Sequence, residues 1–321
     1  MQRTELPAVS VIVTVLNEAL TIEALLKALV NQMVFPEEII ISDGGSTDTT
    51  VALIEQFRTA HAAVPIRVLS ALGNRSVGRN AACRAAKSKL IACTDAGCLP
   101  QKDWLELLVK RHLTTQAPVV AGYYKAQKGT PFMEASAAYA LVMPGNIRED
   151  EFLPATRSML FEKEVWKQVN GFDERYGDNE DYVFAHELRR NKIPIAFSND
   201  AVVEWQPRKN LTSFVYMIFR FSRGDIVSGI LRPKVIFIFL RYLVAAISFF
   251  MCAYFWGWVL AIAYLLLASL LYIAWSIIKN SRYTPQGWYW LPVLQVTSDV
   301  VVMFGSLSGI IQKLLLAKKE K

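Results

Sequence analysis

From Tyr242 to Ile278 the sequence carries no charged residue for 37 positions. One helix of that length would be about 55 Å long, against a hydrocarbon core of about 30 Å. The run therefore predicts a helical hairpin, with spans at 235–254 and 258–278 and a turn at Trp256-Gly257-Trp258. Tryptophans at such a turn suit the membrane interface. Basic residues flank both outer ends, Arg232 and Lys234 before and Lys279 and Arg282 after, and none lies in the turn. The positive-inside bias then puts the preceding domain in the cytosol of an integral membrane protein. Arg241 lies near the start of the first span and is expected to snorkel to the headgroups. Residues 291–316 form a third apolar segment, interrupted by Gln295, Asp299, Gly305 and Gly309. Its length favours a third span over an interfacial helix, although a span there would export the basic end Lys318-Lys319-Glu320-Lys321.

The 53% of hydrophobic residues is high for a soluble chain, and the excess lies after Val235. The net charge of +7 is concentrated too: seven Lys/Arg stand between Arg208 and Arg241 against one acid, Asp225. A basic cluster beside apolar segments points to anionic lipid headgroups. It does not point to nucleic acid, for which no motif is present. Residues 211–230 read as an amphipathic collar along the bilayer. The layout is a soluble domain at 1–207, a juxtamembrane collar at 208–234 and a membrane domain at 235–321. Four cysteines without zinc-like spacing and three scattered histidines give no metal or disulfide framework. No signal peptide is expected, because residues 1–7 are polar and 9–16 are short and strand-like.

The soluble part reads as α/β. A buried strand at 9–16 ends in Asn17-Glu18, and a helix follows at 21–31 with Ile22, Leu25, Leu26, Leu29 and Val30 on one face and Thr21 as its cap. A second strand, Ile39-Ile40-Ile41, ends in Ser42-Asp43-Gly44-Gly45-Ser46. Ser46, Thr47 or Asp48 would cap the helix at 51–57. This alternation predicts a mostly parallel sheet with right-handed crossovers. Ligands of such sheets sit beyond the carboxyl ends of the strands, so Glu18 and Asp43 share one pocket edge. Asp43 can accept hydrogen bonds from a base or ribose. A strand at 66–69 leads to a glycine-punctuated loop, with Arg79 at its boundary with a helix, where a cation suits a diphosphate. Residues 89–93 form another strand, followed by Thr94-Asp95-Ala96-Gly97-Cys98-Leu99-Pro100. A helix at 105–113 and a strand at 119–124 follow. The pattern weakens at 129–150, and 152–161 looks extended, bringing Arg157 towards the pocket. After a helix at 164–169, Glu180 and Asp181 open a helix that runs to Asn191, where carboxylates favour the positive helix end and can serve as general base.

Together these pieces resemble the family-two inverting nucleotide-sugar glycosyltransferases, which have the GT-A fold. The matching stretches are S-V-I-V-T-V-L-N-E at 10–18, I-S-D-G-G-S-T-D-T-T at 41–50 and G-R-N-A-A at 78–82. They continue with T-D-A-G-C-L-P at 94–100, G-F-D-E at 171–174 and Glu180-Asp181. The resemblance implies that Thr14, Glu18 and Asp43 line the nucleobase and ribose pocket and that Arg79 approaches the donor diphosphate. Asp95 takes the first acidic position of the D-x-D element, which in the family helps hold the nucleotide sugar and a divalent cation, Mg2+ or Mn2+. Asp181, paired with Glu180, would deprotonate the acceptor hydroxyl. The second acid of that element is Gly97 here, and Val203-Glu204-Trp205-Gln206 stands where many relatives carry a late histidine. The processive enzymes' Q-x-x-R-W is only echoed by Met217-Ile218-Phe219-Arg220-Phe221, which favours transfer of single sugars. The expected activity moves one sugar to a lipid-linked or membrane-associated acceptor, in glycolipid or envelope polysaccharide synthesis. A polyprenyl-phosphate glycosyltransferase is one alternative. A catalytically silent, membrane-anchored nucleotide-sugar-binding scaffold is another.

Overall fold

The computed structural model describes residues 6–61 and 64–319. In chain order the elements are β1 (Val9–Val15), α1 (Ile22–Val30), β2 (Glu38–Asp43), α2 (Thr50–Ala60), β3 (Ile66–Ser70), α3 (Arg75–Ala85) and β4 (Leu90–Cys93). They continue with β5 (Cys98–Pro100), α4 (Trp104–Thr115), β6 (Val119–Ala126), α5 (Pro131–Ala140), β7 (Met159–Glu162), α6 (Lys163–Gln168) and α7 (Glu180–Arg190). Then come β8 (Ile195–Trp205), α8 (Leu211–Val227), α9 (Pro233–Trp256), α10 (Trp258–Asn280) and α11 (Leu291–Lys319). Two compact units emerge. One holds the chain up to Gln127 together with Pro144–Gln206, and the other holds Lys128–Met143 and the chain from Pro207 onward.

The first unit is built on one mixed sheet in the order β3-β2-β1-β4-β7-β6-β8-β5. Strands β3, β2, β1 and β4 are mutually parallel, as the strand–helix alternation predicts, and β7 turns the sheet antiparallel. β1 and β2 are buried nearly throughout because helices cover both sheet faces, which is why they read as β-branched runs rather than alternating ones. In α1, Ile22, Leu25, Leu26 and Leu29 are fully buried at helical spacing. On the other side of the sheet, Phe161, Phe172 and Phe184 pack together, with Phe172 and Phe184 stacked at 4.3 Å between centroids.

Several local expectations need correction. The extended stretch at 152–161 is instead a turn, closed by Ser158 N–H donating to Ala155 O at 3.0 Å, with a strand only from Met159. The region around 129–150 contains a helix, α5, started by Thr130, whose hydroxyl accepts from Met133 N–H, and by Pro131. Thr21 occupies the cap position of α1, yet its hydroxyl donates to Glu18 Oε2 (2.8 Å) and makes no capping bond.

The second unit is helical. Three helical segments, Pro233–Trp256, Trp258–Tyr283 and Trp288–Leu315, are long and apolar enough to cross a membrane. Large apolar side chains on them face outward, Phe237, Val259 and Ile278 among them, as hydrocarbon requires. α8 lies along α11 in the same direction. Gly305 and Gly309 permit this: a Cβ at Gly305 would meet Ser222 Oγ at 2.0 Å, and one at Gly309 would meet Arg223 O and Ile226 Cβ at 2.8 Å. Arg232 then joins the end of α8 to the start of α9 through a two-pronged pair with Asp225 (2.6 and 2.9 Å). Arg241 does not reach outward to a headgroup. It pairs with Asp299 of α11 at 3.3 Å, and that buried carboxylate also accepts from Tyr242, Tyr272 and Gln295. An acid inside an apolar helix needs such partners, so Asp299 holds α9, α10 and α11 together.

Candidate active site

The carboxyl ends of β1 and β2 lie side by side, Val15 opposite Asp43. Asn17 adopts φ 57°, and its Oδ1 accepts from Thr47 N–H (2.8 Å), sewing the first turn to the second. Asp43 is buried, and its carboxylate accepts from Ser46 Oγ–H (2.6 Å) and from the N–H groups of Gly45 and Ser46 (3.1 Å each). Gly45, at φ +101°, makes that turn possible. Glu18 accepts from the Thr21 hydroxyl, and its own N–H donates to Thr50 Oγ1 at 2.8 Å. Asp48 accepts from the first N–H of α2, at Thr50, and from its hydroxyl. Thr14, Glu18 and Asp43 thus stand together at one sheet edge.

The glycine-punctuated loop is shorter than expected. Asn74 accepts from Val77 N–H and starts α3 at Arg75, so Gly78 and Arg79 are already helical. Gly78 serves packing: a Cβ there would meet Thr14 Cγ2 at 3.0 Å and Ser42 Oγ at 3.2 Å, so α3 can lie close on β1 and β2. Arg79 consequently points not into an open loop but into the protein, at 1% exposure. Its two terminal nitrogens donate to Glu180 Oε1 and to Asp95 Oδ1, the latter at 2.7 Å. Asn80 fixes the far side. It donates to Phe172 O (2.7 Å) and Glu174 Oε1 (2.9 Å) and accepts from Phe172 N–H and Trp166 Nε1–H. Asn74 and Ser76 hold the next residues through Glu174 O and Tyr176 O. α3 therefore grips the Gly171–Tyr176 stretch that leads into α7, and so positions Glu180 and Asp181.

Asp95 lies two residues after β4, and its Oδ2 accepts from Thr156 at 3.3 Å. Burial would raise this carboxyl, but Arg79 and Arg157 outweigh it and hold Asp95 below its ordinary value. Asp181 goes the other way. Burial and the adjacent Glu180 push it above the ordinary carboxylate range, against the pull of Arg157 and Arg79. Among the described residues no cation lies within ion-pair distance of it, and its Oδ1 accepts from Tyr182 N–H (2.8 Å). Arg157, on the turn before β7, lies over the rings of Tyr124 (5.2 Å) and Trp205 (5.0 Å). Tyr124 and Thr156 escaped the sequence reading. The signals were slight: an aromatic residue late in a strand, and a hydroxyl beside the arginine. The thiols are no rivals as nucleophiles, since burial pushes Cys93 up to about 12 and Cys98 higher still.

A divalent cation finds little here. Among the described residues no group of three or more His, Cys, Asp or Glu side chains could hold one. One oxygen of Asp95 is engaged by Arg79, and Gly97 offers no side chain at φ +80°, with open space where a Cβ would stand. The donor set does not fit a metal site built by the protein.

Residues 10–170 match the family described as Glycosyl transferase family 2. The chain is 29% identical to the succinoglycan biosynthesis protein ExoA of Rhizobium meliloti, over 67% of this chain and 68% of that one. It is 25% identical to the glycosyltransferase AglE of Haloferax volcanii, over 69% of this chain and 74% of that one. Among solved structures, the mannosyltransferase PcManGT of Pyrobaculum calidifontis, in complex with GDP-Man and Mn2+, superposes with a TM-score of 0.61 at 19% identity. That match covers 95% of this chain and 88% of the other.

Proposed function

The chain belongs to glycosyl transferase family 2 and is a glycosyltransferase of GT-A fold, and from that premise we propose a specific reaction. It moves a single sugar from a nucleotide-diphosphate sugar to a hydroxyl of a lipid-linked or membrane-associated acceptor, with inversion at the anomeric carbon. The observation that carries this reading is Asp181. It is a carboxylate raised above its ordinary range and free of any ion pair, beside the Asp95–Arg79–Glu180 chain.

A raised carboxylate is a better base for a hydroxyl proton than an ordinary one. Asp181 takes the proton from the acceptor hydroxyl, and the acceptor oxygen forms its bond to the anomeric carbon. The bond from that carbon to the diphosphate oxygen breaks, its electron pair leaving with the nucleoside diphosphate. Inversion needs one such base and no covalent intermediate. Arg79 offsets part of the charge of Glu180 and Asp95, which lets Asp181 sit beside them. Thr14, Glu18 and Asp43 take the base and ribose. The three apolar helices anchor the chain in the bilayer, and the basic flanks of α9 and α10 support a catalytic domain on the cytosolic side by the positive-inside bias. Anchoring raises the local concentration of a membrane-bound acceptor. A relative named for succinoglycan biosynthesis supports an acceptor in glycolipid or envelope polysaccharide synthesis.

The test is transfer by purified protein in nanodiscs, offered UDP-, GDP- and dTDP-sugars labelled in the sugar together with membrane lipid extract. Label is expected in the lipid fraction from one nucleotide class, with the opposite anomeric configuration by NMR. Binding of a nucleotide sugar without transfer to any acceptor would contradict the reading and favour the silent scaffold.

A further inference from the structure

Arg157 is an arginine held in place without an anion. Its neighbours are tightly fixed: Thr156 and Ser158 are buried, and the Arg157 carbonyl accepts from Thr94 Oγ1 at 3.0 Å. Ser158 Oγ accepts from Trp104 Nε1–H (2.8 Å) and donates to Ala201 O (3.2 Å). The guanidinium itself lies against Tyr124 and Trp205, both 8% exposed. No carboxylate or carbonyl of a described residue meets it within ion-pair or hydrogen-bond distance, whereas Arg79 and Arg67 each end on acids. Asp95 and Asp181 are the carboxylates in its field. An arginine serving only packing would be expected to satisfy its five N–H groups internally.

Its position is also specific. Trp205 pairs with Cys98 across β8 and β5, and Gln206 N–H donates to Gly97 O at 3.3 Å. The ring that carries Arg157 therefore stands opposite the turn at Gly97, where the second acid of a metal site is missing and the space is open. A planar guanidinium fixed on two rings presents a forked pair of donors that matches phosphate oxygens. We propose that Arg157 binds the diphosphate of the donor and holds the negative charge on the departing nucleoside diphosphate, with Tyr124 and Trp205 fixing its plane. When the bond from the anomeric carbon to the diphosphate oxygen breaks and its electron pair moves to that oxygen, Arg157 receives the developing charge. Positive charge thus comes from the chain itself, where the donor set for a metal does not fit.

This rests on reading the site as one for nucleotide-diphosphate sugars, and the experiment separates the two. The probes are UDP, GDP and dTDP and the matching monophosphates, titrated against full-length protein in nanodiscs with EDTA and then with Mn2+. The wild type is expected to bind one diphosphate at least about tenfold more tightly than its monophosphate in EDTA. R157Q is expected to lose that ratio while its monophosphate affinity stays within about threefold. A positioning effect through fold alone would weaken both nucleotides together. If R157Q does not fold, R157K keeps the charge without the fork, and a ratio lowered about threefold or more supports the proposal. A wild-type ratio in R157Q or R157K overturns it, as does a wild-type ratio that vanishes in EDTA and returns with Mn2+. A wild type that binds neither nucleotide overturns the donor-site reading and this proposal with it.

Discussion

Each unit pairs an arginine with a carboxylate inside the fold, and the two clusters differ in what they leave over. In the helical unit, Arg241 meets Asp299, and Tyr242, Tyr272 and Gln295 complete the shell of that one acid. In the sheet unit, Arg79 meets both Glu180 and Asp95, while Asp181 and Arg157 stand beside them without an ion pair among the described residues. The first set closes around Asp299 and ties α9, α10 and α11 together. The second is open, leaving one carboxylate and one guanidinium near the carboxyl ends of the strands, the edge at which open α/β sheets take their ligands. The same side-chain chemistry thus gives a structural tie in one place and, on the reading proposed above, a reactive site in the other.

Breaking the open cluster carries the largest expected effect. R79M leaves Glu180 and Asp95 without their shared cation, beside Asp181, and a loss of about 3–5 kcal/mol is expected. Denaturant titration in detergent, followed by near-UV circular dichroism, measures it. Adding E180Q to R79M should recover part of the loss, and no recovery would mean that Arg79 acts by packing alone. G305L drives a side chain into Ser222 and Phe219 and should cost about 1–3 kcal/mol. A lowered thermal midpoint with unchanged nucleotide affinity is the expected outcome. D299N should cost about 1–2 kcal/mol by the same measurement. If D299N kept its midpoint yet lost transfer, the closed cluster would be functional and the comparison would fail.

The smallest expected effect is on pH dependence. As the proposed base, Asp181 has to be ionised, so the acid limb of kcat/KM should lie above the ordinary carboxylate value of 3.8. Its protonated form is favoured in the fold, so this group contributes stability that is present below that value and is lost as pH rises through its raised pKa. Asp95 has the opposite sign: its contribution is present above the ordinary value and is lost as pH falls through its lowered one. A profile of kcat/KM from pH 4 to 8, alongside thermal midpoints, checks both directions.

Much of this architecture was legible because it is local. The uncharged run at 242–278 bounds two helices by length alone, and a β-branched run ending in Asp43 and a short apolar run just before Asp95 mark parallel strands and their ligand edge. What was hidden depends on distant partners. Arg79 lies 16 residues from Asp95 and 101 from Glu180, so nothing near it in sequence says that it faces inward. β8 was missed because Ser198, Asn199 and Asp200, typical turn residues, interrupt it where its register against β6 shifts. Arg241 was read as snorkelling because the acid that holds it stands 58 residues later.

The measurement that bears most directly on this account is D181N in nanodiscs, with transfer and nucleotide-diphosphate affinity measured on the same preparation. The account predicts transfer reduced by about 10²–10⁴-fold with affinity within about threefold of the wild type. Near-normal turnover in D181N would contradict it, and the base for the acceptor hydroxyl would have to be sought elsewhere.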